Sequence, residues 1–128
     1  MCVFCVFVSN YNLKIVDVKN LSDARREIQD IGSDPASIEI MAPKAISKVI
    51  KLENVVLQDA IIIKQDMLSI GGEVAVPRDT FKLNQETGNI LIIGNLKQLH
   101  DLVGKLKRHY SRIKEIADDL EILLEGVK

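Results

Sequence analysis

The chain has 128 residues, of which 47% are apolar, 4% are aromatic with no Trp, and 27% are charged. That length suits one domain with an aliphatic core and leaves no room for the roughly 250 residues of a (β/α)8 barrel. Lys and Arg number 17 against 18 Asp and Glu, a net charge of −1, which gives no excess of positive charge for the clustered phosphate contacts of a nucleic-acid binder.

Residues 1–12 open with MCVFCVFV, expected as an apolar strand or tail ahead of the domain. The run has no basic segment and no small-residue cleavage site of a signal peptide, and it is far shorter than the roughly 18 apolar residues that span a bilayer. A cytoplasmic chain with reduced thiols and no membrane contact is the expectation. Cys2 and Cys5 make a CxxC spacing. A redox motif of that kind sits at a strand-to-helix junction, where the helix start lowers a thiol pKa. A zinc site needs a second ligand pair, which His100 and His109 do not supply from one continuous helix. No metal and no cofactor is expected.

Residues 13–18, L-K-I-V-D-V, alternate well enough for a strand. Asn20 or Ser22 then caps a helix in which Leu21, Ala24, Ile28 and Ile31 share a face, with Asp23 and Glu27 near its start, and Gly32 stops it. Pro35 suits the first turn of a short helix or loop. From 36 to 43, Ile38, Ile40 and Ala42 alternate with Glu39 and Met41, as in a short strand or extended segment ended by Pro43. Ile46, Val49 and Ile50 mark a strand over 45–52.

The chain is organised around residues 55–78. Val56, Ala60, Ile63, Met67 and Ile70 recur at three- and four-residue steps, which keeps them on one helix face. Asn54 is placed to cap the start, and Gly71 and Gly72 to close the end, since glycine takes the left-handed backbone that terminates a helix. Val74 and Val76 follow at strand spacing. Residues 84–89 supply a turn, and 90–93 are an apolar run of strand length. Gly94 and Asn95 lead into a helix with Leu96, Leu99, Val103 and Leu106 on its apolar face. Ser111 caps a last helix that turns Ile113, Ile116, Ala117, Leu120 and Leu123 inward. The sum is one α+β domain over 13–128, in the order β-α-β-α-β-β-α-α. Its small mixed sheet of about four strands is covered by three to four helices, close to ferredoxin-like connectivity in the middle.

Chemistry is harder to place. Gly71-Gly72 follows a helix and precedes a strand, the reverse of the order that aims backbone N–H groups at a phosphate. Ile93-Gly94-Asn95-Leu96 has the right order, with Lys97 in the first turn, and reads either as an anion rest or as an ordinary N-cap. The run Lys105, Lys107, Arg108, Arg112 and Lys114 reads as a solvated face, because Asp118, Asp119, Glu121 and Glu125 follow at once. No nucleophile is set against His100 or His109, so no catalytic residue is expected.

The run IIIKQDMLSIGGEVAVPRD, residues 61–79, resembles the N-terminal accessory domain of long-form, clostridial- and archaeal-type dihydropteroate synthase. The likeness extends upstream through Gly32, Asp34, Pro35, Ser37, Ile38, Glu39, Ile40 and Met41, and downstream through NILIIGNLKQLHDLVGKLK and the last acidic helix. The enzyme that carries this domain joins a pterin pyrophosphate to para-aminobenzoate on a barrel, whose loop motifs have no counterpart here. The resemblance therefore implies a non-catalytic domain that docks on a dihydropteroate synthase barrel or forms a homodimer. A small-molecule regulatory module is the rival. The polar residues in and beside the motif mark one expected edge for a ligand or partner: Lys64, Gln65, Gly71, Gly72, Glu73, Arg78, Asp79 and Asn95.

Overall fold

A computed structural model describes residues 10–78, 80–82 and 86–128. Among them the order is α1 (Leu21–Ile31), α2 (Pro35–Met41), β1 (Ser47–Val56), α3 (Leu57–Ile70), β2 (Glu73–Ala75), β3 (Thr87–Asn95), α4 (Leu96–Leu106) and α5 (Ser111–Glu125). Two 3-10 turns intervene, at Ala42–Ala45 and Thr80–Lys82. The class is α+β, as the sequence implies. The sheet has three described strands rather than four, in the order β1-β3-β2, and both pairings are antiparallel rather than mixed. β1 and β2 therefore run the same way on either side of β3, a split β-α-β arrangement with α3 as the crossover.

The differences lie mainly at the N-terminal side. Residues 13–18 have the alternation of a strand but pair with nothing in the sheet, and Leu13 and Ile15 stand 63% and 85% exposed. Residues 35–45 are helical throughout, because Asp34 accepts the Ala36 amide at 3.0 Å and Pro35 fills the first helical position. That local cap outweighs the two-residue spacing of Ile38 and Ile40. Asn54 does not cap α3. It lies in a β-bulge between Leu52 and Val55 with φ 58, a left-handed value that Asn tolerates, and its amide donates to Asn89 Oδ1 at 3.1 Å. Val56 takes the N-cap of α3, and Tyr110 rather than Ser111 that of α5, neither with a side-chain capping bond. Residues 87–89, expected as turn, already belong to β3. Ile31 at the end of α1 faces solvent, and on α5 Leu124 is buried where Leu123 was expected.

The core lies on one side of the sheet. Ile90 and Ile92 of β3 and Val74 of β2 are fully buried, with Ile50 and Leu52 of β1 packed beside them. Against this face sit Ala60, Ile63 and Met67 of α3 and Leu99, Val103 and Leu106 of α4, and Ile113, Ala117, Leu120 and Leu124 of α5 join the same core from along α4. At roughly 1.5–3 kcal/mol for each large aliphatic side chain fully withdrawn from water, this aliphatic layer is what holds the elements together. α5 packs along α4 instead of on the sheet, so the flank of β1 is only partly covered.

Candidate functional site

The expected edge divides in two. Lys64 reaches from α3 to β2, where its Nζ donates to Glu73 Oε1 at 3.2 Å and to the Val74 carbonyl at 2.7 Å. Glu73 also accepts its neighbour's amide, from Val74 at 2.9 Å, and this bond, followed by Lys64, holds its carboxyl below the ordinary value. Gly71 closes α3 with φ 101. A Cβ on Gly72 would collide with Met67 Cε and lie 3.0 Å from the Ile93 carbonyl oxygen; one on Gly94 would meet Met67 Cε at 2.5 Å and Gln98 Oε1 at 3.0 Å. Gly72 and Gly94 are thus the space that Met67 fills. Asn95 forms a full capping box on α4, accepting from the Gln98 amide at 2.8 Å while Gln98 Oε1 accepts the Asn95 amide at 3.0 Å.

These residues meet at the end of β3. Arg78 does not join them. It follows β2 toward the start of β3, where Pro77 lies against Gly88, and it is exposed. Gln65 points to solvent from α3. Asp79, like Cys2 and Cys5, lies outside the described residues. The Lys64, Gly72 and Asn95 group is a packing seam: its polar atoms are consumed by a strand carbonyl, a neighbouring carboxylate and a helix cap.

A second constellation has no counterpart in the sequence reading. Asp59, in the first turn of α3, is the one buried carboxylate among the described residues, its side chain 1% exposed. Arg112 grips it with a bidentate fork, Nε on Oδ2 and Nη2 on Oδ1 at 2.8 Å, and the Tyr110 hydroxyl donates to Oδ1. The guanidinium also lies 5.1 Å from the Tyr110 ring centre, at cation–π range. Burial pushes the Asp59 carboxyl up, but the hydrogen bonds from Arg112 and Tyr110 and the Arg112 charge together outweigh it and leave its pKa below the ordinary value. Asp59 in turn holds Arg112 more firmly protonated, and burial followed by the Asp59 hydrogen bond raises the Tyr110 phenol.

Two further ties join the same segments. His109 Nε2 lies 2.8 Å from Asp66 Oδ2, and Lys105 reaches Ser69. The basic run is therefore only partly a solvated face. With Lys107 on Glu121 at 2.8 Å, three of its five members bind named partners that clamp α4 and α5 to each other and to α3. Asp59 escapes sequence reading because an Asp three residues into a helix ordinarily serves the macrodipole from solvent.

Beside the clasp, a groove of about 390 Å³ runs between β1 and α5. Residues 50–56 of β1 line it without a gap, so the strand turns its edge toward it, and α5 offers Arg112, Ile116, Asp119, Leu120 and Leu123 at helical spacing. Among the described residues no helix lies over the opposite sheet face. There Val49 stands opposite Ile93, and Leu91 lies between Lys51 and Ala75. Val49 is 62% exposed and Ile93 38%. The described residues contain no helix long and apolar enough to cross a membrane and no group of three or more His, Cys, Asp or Glu placed to hold a metal.

Over 114 residues the chain is 28% identical to a bifunctional dihydropteroate synthase/dihydropteroate reductase of Helicobacter pylori. The match takes in 89% of this chain and 30% of the relative, so the chain spans less than a third of that protein's length. No protein-family model matches the chain, and no solved structure does.

Proposed function

We propose that the chain is a non-catalytic accessory domain of a dihydropteroate synthase, serving pterin and folate biosynthesis by docking on the catalytic barrel or by pairing with a second copy. The observation that carries this is the extent of the match: nearly all of this chain aligns with a minor part of the relative. About 270 of the relative's residues fall outside the match, close to the roughly 250 that a barrel takes. The uncovered sheet face supplies the docking surface, with Val49, Leu91, Ile93 and Ala75 as its apolar centre and Lys51 and Glu73 at its margin. Behind that sheet the clasp at Asp59 ties α3 to the start of α5, and Met67 packs α3 onto Gly72 and Gly94.

The test is to mix the purified chain with a dihydropteroate synthase barrel of the matching type, follow both by size-exclusion chromatography, and assay dihydropteroate synthesis and dihydropteroate reduction with and without the chain. Co-elution with a change in either rate is expected. Separate elution with both rates unchanged overturns the proposal.

The groove favours one rival, a regulatory module for a small molecule, because its volume of about 390 Å³ falls within the roughly 300–1,000 Å³ of small-ligand sites. Ligand at 100 times its dissociation constant stabilises the native state by about 2.7 kcal/mol. Thermal shift with pterins and para-aminobenzoate reads that directly, and no shift for either removes this rival.

A further inference from the structure

Two unmatched features lie close together in this molecule. β1 is an edge strand whose outer side faces a groove, and residues 13–18 have a strand's alternation without a strand's partner. We infer that residues 13–18 close onto the free edge of β1 as a fourth, antiparallel strand that fills the groove beneath α5.

The direction follows from the anchors. Asp59 follows the end of β1 and is bound to Arg112 at the start of α5, so the last residues of β1 lie beside the first turn of α5. Residues 50–56 of the strand cover about 20 Å and residues 112–123 of the helix about 17 Å, and both line the same groove. The end of α5 therefore lies near the beginning of β1. There the Leu21 amide donates to the Lys128 carbonyl at 3.1 Å, and Val18 and Val127 pack on the core. A chain that runs backward from residue 18 along the groove moves toward the end of β1. Read forward, it is antiparallel to β1, as β3 is on the other side.

The phase follows from Val18, which is already partly buried. In an extended segment every second residue shares a side, so Val16 and Lys14 turn the same way as Val18. Moving from the end of α5 toward its start, Val18 and Val16 meet the apolar stretch of Leu123 and Leu120, and Lys14 reaches the level of Asp119 and Glu115. The groove suits that order. Its carboxylates are Glu53, Asp59, Glu115 and Asp119 against Lys51 and Arg112, and Asp59 is already matched by Arg112, which leaves an excess of negative charge for Lys14. Asp17, Ile15 and Leu13 fall on the other side, Asp17 toward Lys51 and the two apolar residues further along toward the end of β1. A bulge and two lysines in β1 discourage pairing with a foreign edge, whereas a tethered strand needs no encounter.

Hydrogen exchange on the full 128-residue chain tests this, with native size measured on the same sample. The expected result is a monomer in which amides of residues 13–18 and of 51–55 exchange at least tenfold more slowly than in the Val16→Asp variant, while α3 and α4 exchange alike in both. Lys14→Glu should lose the same protection, and Lys14→Glu with Asp119→Lys should recover it. Residues 13–18 exchanging at the rate of an unstructured chain overturn the inference. So does protection that appears only at concentrations where the native size doubles, since the strand then belongs to a second copy. Docking on the barrel is read by a different assay and stands or falls separately.

Discussion

Asp59 and Arg112 differ in what their loss leaves behind. Arg112 is half-exposed, so Asp59→Asn frees a guanidinium that water can reach, and the expected cost is about 1–2 kcal/mol. Arg112→Met strands a carboxylate that is 1% exposed with only Tyr110 beside it, and about 3 kcal/mol or more is expected at pH 7. The pH dependence has a definite sign. In the folded wild type the Asp59 pKa lies below its ordinary value of 3.8, so the pair's contribution is fully present above that value and is lost as pH falls through the depressed one. Without Arg112, burial, the largest single influence, is opposed only by the Tyr110 hydrogen bond and pushes the folded value up, so the variant takes its proton more readily folded than unfolded. The stability gap between wild type and Arg112→Met should therefore narrow from pH 7 to pH 4. Urea unfolding at the two pH values measures it, and a gap that stays constant would place the cost of the substitution somewhere other than the Asp59 charge.

At the level of elements, the junction of α3, β2 and β3 depends on one flexible side chain and two missing ones. Gly72→Ala puts a methyl onto Met67 Cε and against the Ile93 carbonyl; the first can move and the second cannot. Overpacking of this kind costs about 1–3 kcal/mol. Met67→Leu removes Cε, so the two substitutions together should cost less than their sum, and a double-mutant cycle by chemical denaturation checks the coupling. Strict additivity would mean that the Ile93 backbone carries the whole penalty. Much of this junction was legible in the sequence: the three- and four-residue steps of Ala60, Ile63 and Met67, the glycine stop, and Asn95 as a cap all reflect local rules. The extent of β1, the bulge at Asn54 and the Asp59 clasp were not. Each depends on a partner far along the chain, Asn89 for the bulge and Arg112 for the clasp, and periodicity carries no such information. Alternation at residues 36–43 misled for the opposite reason, since a local cap at Asp34 outweighed it. Arg78 lies apart from Lys64, Gly72 and Asn95 because it follows a strand of only three residues and emerges at its far end.

For the whole molecule, a sheet covered on one side poses a choice between water and a partner. Antiparallel sheets tolerate a wet face, and the strands then alternate apolar inside with polar outside. β3 breaks that rule: Leu91 and Ile93 carry apolar groups outward across from Lys51 and Val49. Val49→Glu tests what this face is for. At 62% exposure the substitution should change monomer stability by no more than about 0.5 kcal/mol, yet it sets a carboxylate in the middle of the apolar patch, where a docked partner would have to bury it unpaired. Co-elution with the barrel should be lost while the thermal midpoint of the free chain holds. Ile122→Glu is the matched control, because Ile122 is as exposed, at 67%, but lies on α5 behind the sheet. Loss of co-elution with Val49→Glu alone assigns docking to the sheet. Loss with Ile122→Glu alone moves the interface to the last helix, and the open face of β3 is then a wet surface that the fold tolerates.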